Sequence, residues 1–295
     1  MDRLKLPKYY ILDTTNHCNF RCPICPNENI KDSNKGMMSF DLFLHILDQI
    51  KDIAVVIQLY WMGEPLLNSY IYKMISYCKK NTNAKIMIST NGSLLNEKTI
   101  NALKQSGLDE IIISVDACDS QEIYEAIRCG GSISRLNSNI RMLLNNKGNI
   151  NVVLQFINMY VNEGEKKGFI KQWEKEDCTI SIIRLYSWAD QLTGLSLAST
   201  CFRNNWQRPR IPCADLWNKM AIHWDGIVSA CCFDWDSKLA LGDSNNTMLV
   251  DIWNGAEASI IRELHTSQRY SDLQLCNRCD SWAEPDEYIE LFHLA

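Results

Sequence analysis

The chain has 295 residues and a mass of 34.0 kDa, room for one large domain or one domain with a small appendage. Apolar residues make up 46 %, charged residues 22 %, and the formal net charge is −5, with no Lys/Arg block longer than two. This balance argues against electrostatic capture of nucleic acid or of an anionic membrane surface. A chain of this size buries roughly three quarters of its unfolded surface, so it needs neither disulfides nor metals merely to fold.

The opening MDRLKLPKYYILD is too short in apolar residues for a secretory signal, and nothing approaches 18 consecutive apolar residues. A cytoplasmic location with no membrane span is the expectation. From Tyr9 to about Ile183, short apolar runs alternate with amphipathic stretches. Strands are expected at Tyr10–Asp13, Val55–Tyr60, Lys85–Ser89, Glu110–Val115, Asn151–Asn158 and Thr179–Leu185. Helices are expected at Ser39–Lys51, Asn68–Lys80, Asn96–Ser106, Ser120–Cys129, Ser132–Asn145 and Glu163–Glu176, with Ser39, Asn68 and Asn96 as capping residues. Six strand-then-helix units imply parallel strands with right-handed crossovers, in an α/β fold with an open or closed barrel.

The pattern breaks after Leu185. Ser187–Pro212 reads as a connector, and Cys213 onward holds a hairpin (Met220–His223, an Asp225-Gly226 turn, Ile227–Cys231), a helix near Asp251–His265, and the pair Cys276/Cys279. The organisation expected is a barrel over 1–190, a connector over 191–212 and a small unit over 213–295.

Thirteen cysteines in a chain of reducing context point to metal binding rather than disulfides. Cys18, Cys22 and Cys25 follow the first strand with C-x3-C-x2-C spacing. Three soft thiolates that close together suit an iron–sulfur cluster with one open coordination position. A structural zinc knuckle completed by His17 is the plainer alternative.

Here the sequence resembles the radical S-adenosylmethionine (SAM) superfamily, over about 180 residues. The resemblance implies that the three cysteines bind a [4Fe–4S] cluster whose open iron is chelated by SAM. Met62-Gly63-Glu64-Pro65 resembles the family's Gly-Glu motif, with Glu64 facing the SAM ammonium and Gly63 permitting close backbone approach. Ser89-Thr90-Asn91-Gly92 resembles the motif that contacts the SAM ribose and carboxylate, through Ser89 and Asn91. Ser114-Val115-Asp116 matches the Ser-x-Asp position, with Ser114 near SAM and Asp116 near SAM or substrate. Gly-Glu-Pro and Asn-Gly alone are ordinary turns; their common place after strands, at the C-terminal mouth of one barrel, is what counts. Many members carry an aromatic residue before the third cysteine; Ile24 stands there instead, an aliphatic cover for adenine.

Cys213-x12-Gly226-x4-Cys231 and Cys276-x2-Cys279 resemble an auxiliary-cluster domain of the SPASM type, in its shortened twitch form. The resemblance implies a second, fully thiolate-ligated [4Fe–4S] cluster held by Cys213, Cys231, Cys276 and Cys279. Four thiolates leave no iron for substrate, which implies an electron-transfer role. A four-cysteine zinc site remains the alternative, and Cys232 competes with Cys231 as ligand. Of the other cysteines, Cys78, Cys129, Cys178 and Cys201 read as packing residues, while Cys118 and Cys232 are candidate hydrogen-atom donors. Arg203, Arg208 and Arg210 are candidate anion contacts in the connector, against the plainer reading of surface arginines.

The implied reaction begins with a 5′-deoxyadenosyl radical that abstracts hydrogen from substrate. Oxidation through the auxiliary cluster resembles what 2-deoxy-scyllo-inosamine dehydrogenase-like members do to a small sugar or aminocyclitol. Epimerisation with a cysteine donor is the first alternative, and maturation of a ribosomally made peptide the second. Only about nine residues precede the first strand, so no leader-recognition domain is expected. A flavodoxin or ferredoxin is the expected reductant. A zinc-stabilised binding module is the non-enzymatic alternative.

Overall fold

The computed structural model describes residues 3–192, 210–279 and the backbone of 290–293. Six parallel strands form its centre: β1 (Tyr9–Leu12), β2 (Val56–Gln58), β3 (Lys85–Thr90), β4 (Glu110–Ser114), β5 (Asn151–Asn158) and β6 (Thr179–Arg184). They are joined by α1 (Phe40–Ile50), α2 (Ile71–Asn81), α3 (Glu97–Ser106), α4 (Gln121–Ile127), α5 (Ile133–Asn146) and α6 (Lys166–Trp173). The strands lie in the order β6-β5-β4-β3-β2-β1, so the parallel sheet forms an open, partial (β/α)6 barrel, as expected.

The helices form where the apolar period requires. Phe43, Ile46, Leu47 and Ile50 of α1 and Ile71, Met74, Ile75 and Cys78 of α2 are buried against strands whose Ile57, Ile86, Ile88, Ile111 and Ile113 are fully buried. Ser39 caps α1 by accepting from Leu42 N, and Asn96 caps α3 in a reciprocal pair with Thr99. The expected cap Asn68 is spent elsewhere: its amide donates to Thr14 O at 2.7 Å, its carbonyl accepts from Tyr70 N, and α2 starts only at Ile71. The expected helix Glu163–Glu176 is a 3-10 turn over Tyr160–Glu165 followed by α6.

Beyond the connector come α7 (Asp215–Asn218), β7 (Lys219–Ile222), β8 (Ile227–Ser229), β9 (Ala240–Asp243), α8 (Leu249–Trp253), α9 (Ala256–Thr266) and β10 (Glu290–His293). The single helix expected near Asp251–His265 is two, broken at Asn254-Gly255, where the Asn254 side chain joins the backbone of Leu4. Strands β9 and β10 carry no alternation that sets them apart in sequence. Strand β7 pairs in parallel with β1, from Tyr9↔Lys219 to Leu12↔Ile222, and β10 pairs antiparallel with β6. The sheet is therefore continuous from barrel to C-terminal hairpin, which places the loops after β1 and β7 side by side. Most of the expected connector, with Cys201, Arg203 and Arg208, lies outside the described residues. No described helix is long and apolar enough to cross a membrane.

Candidate active site: two cysteine centres

The loop after β1 is built by backbone and amide hydrogen bonds before any ligand is considered. Asn16 donates to Asn34 O and accepts from Gly36 N, and Asn27 donates to both Asn16 O and Met62 O at 2.7 Å. Cys25 N closes a turn on Cys22 O at 3.0 Å, and Arg21 N is tied to Cys129 O. Cys18, Cys22 and Cys25 end up close enough to influence one another's ionisation. Burial pushes Cys18 up to about 11 and Cys25 up to about 12, with the neighbouring thiols adding to both. A cation among them reverses that penalty.

Gly63 explains why two loops meet here. A Cβ at Gly63 would lie 2.1 Å from Thr15 O and 2.5 Å from His17 O, so what the glycine admits is the cysteine loop itself. Glu64 N then donates to His17 O at 2.8 Å. The Glu64 carboxylate, 2 % exposed, ties the loops after β2 and β3 together. Oε1 accepts from Thr90 Oγ1 at 2.7 Å and from Leu66 N, and Oε2 accepts from Asn91 N at 2.8 Å. Burial raises it to about 7 against the pull of these donors. Asn91 in turn donates to Asn19 Oδ1 at 2.9 Å, inside the cysteine loop. Ser89 is the penultimate residue of β3 and Ser114 the last of β4. Both sit at the mouth on which Glu64 and Asn91 converge.

Asp116, expected near SAM or substrate, is wholly buried, with φ +60° and both oxygens engaged. Oδ1 accepts from Ile157 N, and Oδ2 accepts from Arg128 Nε at 2.6 Å and Nη2 at 2.5 Å. What this loop offers the site is Arg128, whose positive charge lies beside the Cys22 thiol and opposes the upward push of burial on it. Sequence reading missed Arg128; its only signal was position, twelve residues past Asp116 at the end of α4. Ile24 is buried in a small cluster with Phe20, Ile127, Met159 and Leu185 beside the cysteines. Cys118, a candidate hydrogen-atom donor, has its thiol against Gln172 Oε1 and Gly168 of α6.

The second centre gathers Cys213, just ahead of α7, Cys231 and Cys232 after β8, and Cys276 and Cys279, the first residue and the C-cap of a one-turn 3-10 helix. Cys213 feels Cys279 and Cys232, Cys231 feels Cys232 and Cys279, and Cys276 feels Cys279 and Cys213. Cys231 Sγ accepts Phe233 N at 3.3 Å, the same two-residue N–H···S turn as Cys18 with Phe20 at 3.4 Å. Cys232 instead faces Asp215 Oδ2 at 3.9 Å and the Lys219 charge. Arg210, read as an anion contact, donates to Cys276 O at 2.8 Å and stacks on Tyr270. His265, unanticipated, lies between Cys213 and Cys276, with Nδ1 accepting from Cys213 N and Nε2 facing Cys276 Sγ.

Trp61 spans the two centres. It precedes Met62-Gly63-Glu64, donates from Nε1 to Cys232 O at 2.8 Å, and stacks on His223 at 4.4 Å. Among the described residues, no three or more His, Cys, Asp or Glu side chains close to the separation one metal ion requires. The case for metal groups rests on donor chemistry: soft thiols from adjacent loops, each held by backbone turns, with Arg128 beside one set and His265 beside the other.

Residues 12–170 match the radical SAM superfamily model, and residues 213–280 match the SPASM iron–sulfur cluster-binding domain. A curated relative, the tungsten-containing aldehyde ferredoxin oxidoreductase cofactor-modifying protein of Pyrococcus furiosus, is 35 % identical over 111 residues, 37 % of this chain and 31 % of its own. The chain thus spans about a third of that relative's length, and 43 % of the next. The crystal structure of BtrN in complex with AdoMet and 2-DOIA superposes with TM-score 0.68 at 18 % identity, covering 97 % of this chain and 99 % of that one. Streptococcus suis SuiB bound to its precursor peptide SuiA gives TM-score 0.70 at 16 % identity, covering 94 % of this chain and 72 % of SuiB. At such identities these likenesses speak for the fold. By its matched residues, the chain belongs to the radical SAM superfamily and carries a SPASM-type C-terminal domain.

Proposed function

We propose that the chain oxidises a small sugar-like or aminocyclitol substrate by two electrons, in a barrel of residues 1–190 and an auxiliary unit of residues 213–295. In this reading Cys18, Cys22 and Cys25 hold one [4Fe–4S] cluster, and Cys213, Cys231, Cys276 and Cys279 hold a second. When bound, the first cluster and SAM supply a 5′-deoxyadenosyl radical, and the second cluster supplies a one-electron acceptor.

The observation that carries the reading is the junction of β1 with β7, locked by Trp61. The pairing joins the C-terminal hairpin to the barrel sheet, and Trp61, in the loop after β2, reaches the backbone of Cys232 in the second centre. Gly63 and Glu64 fix the loops that flank SAM; Ser89, Asn91, Ser114 and Ile24 line its place. Arg128 supplies positive charge beside Cys22 for an anionic ligand group, and Asp116 holds Arg128 in position. The N–H···S turn favours Cys231 as ligand over Cys232. A flavodoxin or ferredoxin serves as reductant.

Epimerisation is the second reading, supported by the Cys232 thiol beside the proposed ligand Cys231. Incubation of reconstituted enzyme with SAM, reductant and candidate aminocyclitols in deuterated water separates the two. Oxidation gives one 5′-deoxyadenosine per ketone with no solvent deuterium at the reacting carbon. Deuterium at that carbon, lost in Cys232→Ala, establishes the epimerase instead. If no 5′-deoxyadenosine forms under reducing conditions, both readings fail.

A further inference from the structure

Resting on the reading of Cys213, Cys231, Cys276 and Cys279 as ligands of an auxiliary cluster, we propose that His265 is a positioning residue that raises the reduction potential of that cluster through an Nε2–H···S hydrogen bond to Cys276. His265 lies in the last turn of α9 and is 1 % exposed. Its two ring nitrogens meet two of the four proposed ligands. Cys213 N donates to Nδ1 at 3.2 Å, and Nε2 lies 3.3 Å from Cys276 Sγ.

The first contact decides the second. A ring nitrogen that accepts an amide N–H carries no proton of its own, so the ring's N–H is on Nε2, aimed at sulfur. The Tyr270 ring meets the imidazole edge-on at 5.1 Å and 79°, which fixes the ring plane. Arg210 lies over Tyr270 at 4.2 Å and donates from Nη2 to Cys276 O at 2.8 Å. Cys276 therefore faces a partial positive charge at its sulfur and a full one at its carbonyl.

Reduction adds one electron, whose charge spreads over the thiolate sulfurs. A donor on a sulfur strengthens as that charge grows, and it stabilises the reduced form more than the oxidised form. In a dry setting the preference is large. A centre that takes one electron from a substrate-derived radical gains from this bias, whereas a structural cluster has no use for it. A histidine that only fills the core would make neither contact in this directed way.

The test uses the full chain carrying Cys18/Cys22/Cys25→Ala, reconstituted anaerobically, so that only the C-terminal centre titrates. Its potential is measured by EPR-monitored redox titration with and without His265→Phe. His265→Phe is expected to keep about four irons and to lower the equilibrium constant for one-electron reduction about tenfold, a shift of ~59 mV to more negative potential. His265→Gln, which retains an amide donor, recovers most of the shift. An unchanged potential in His265→Phe overturns the proposal and leaves the cluster intact. Absence of iron in the parent triple variant sinks the cluster reading itself, and the proposal with it. Should His265→Phe hold no iron, the parent protein labelled with nitrogen-15 histidine gives a second arm. Pulsed EPR of its reduced centre is expected to show histidine nitrogen coupling, and its absence overturns the proposal.

Discussion

Gly63→Ala adds one methyl group where the loop after β2 crosses the cysteine loop. The new Cβ would sit 2.1 Å from Thr15 O, 2.5 Å from His17 O and 2.8 Å from Thr15 C, far inside the 3.4 Å at which ordinary van der Waals contact begins. The obstacle is backbone on both sides, so no side chain can swing away. Forcing the loops apart costs about 1–3 kcal/mol of overpacking. The Glu64 N–His17 O bond of 2.8 Å is then stretched or lost, a further ~1 kcal/mol. The total of about 2–4 kcal/mol corresponds to a Tm lower by roughly 3–7 °C. The damage is local, because Cys18 adjoins His17 while the C-terminal centre is untouched. After reconstitution, Gly63→Ala is expected to lose the iron of the first centre and keep that of the second, read in a Cys276/Cys279→Ala background and its converse. Gly164→Ala is the control, since nothing lies within 4 Å of its added Cβ; it is expected within about 0.5 kcal/mol of wild type. Equal effects of the two substitutions would refute the reasoning.

Asp13 is fully buried, accepts from Met62 N through Oδ1, and has no partner at Oδ2 among the described residues. Burial first, with Asp225 adding, raises it from 3.8 to about 7. A carboxyl raised in the fold favours the protonated native state, so its contribution is fully present below pH about 4 and is lost as pH rises to about 7, on the order of 4 kcal/mol. Asp13→Asn is expected to match wild type in urea at pH 4 and to exceed it at pH 8; equal pH profiles would contradict this. Arg128→Met leaves the buried Asp116 carboxylate unpaired and is expected to cost about 3–5 kcal/mol in denaturant unfolding, largely recovered in Asp116→Asn/Arg128→Met. Trp61→Phe keeps the stack on His223 but deletes the donor to Cys232 O. It is expected to cost ~1 kcal/mol in thermal unfolding with iron content unchanged.

What the sequence makes legible is whatever is written locally. The 3.6 and 2.0 periods mark the barrel, and the tight spacing of Cys18, Cys22 and Cys25 marks a ligand loop. Ser39 and Asn96 mark helix starts because a cap bonds within three residues. Asn68 misleads for the converse reason: its amide reaches Thr14, far back in sequence, and its carbonyl holds Tyr70 N two residues on, ahead of the helix. The supporting residues are hidden in the same way. Trp61 acts on Cys232 across 171 positions, His265 on Cys213 across 52, and neither type announces that use. Asp116 follows β4 in a motif legible from the sequence, but its pairing with Arg128 depends on how α4 ends. The parallel pairing of β7 with β1 has no sequence period at all, and it is what joins the C-terminal hairpin to the barrel sheet.

Iron and sulfide per chain, measured after anaerobic reconstitution of wild type and of Cys18/Cys22/Cys25→Ala, test the two-centre account most directly. The account predicts about eight irons falling to about four in the variant. About four irons falling to none would contradict it, leaving the C-terminal cysteines without a cluster and the substrate without its electron acceptor.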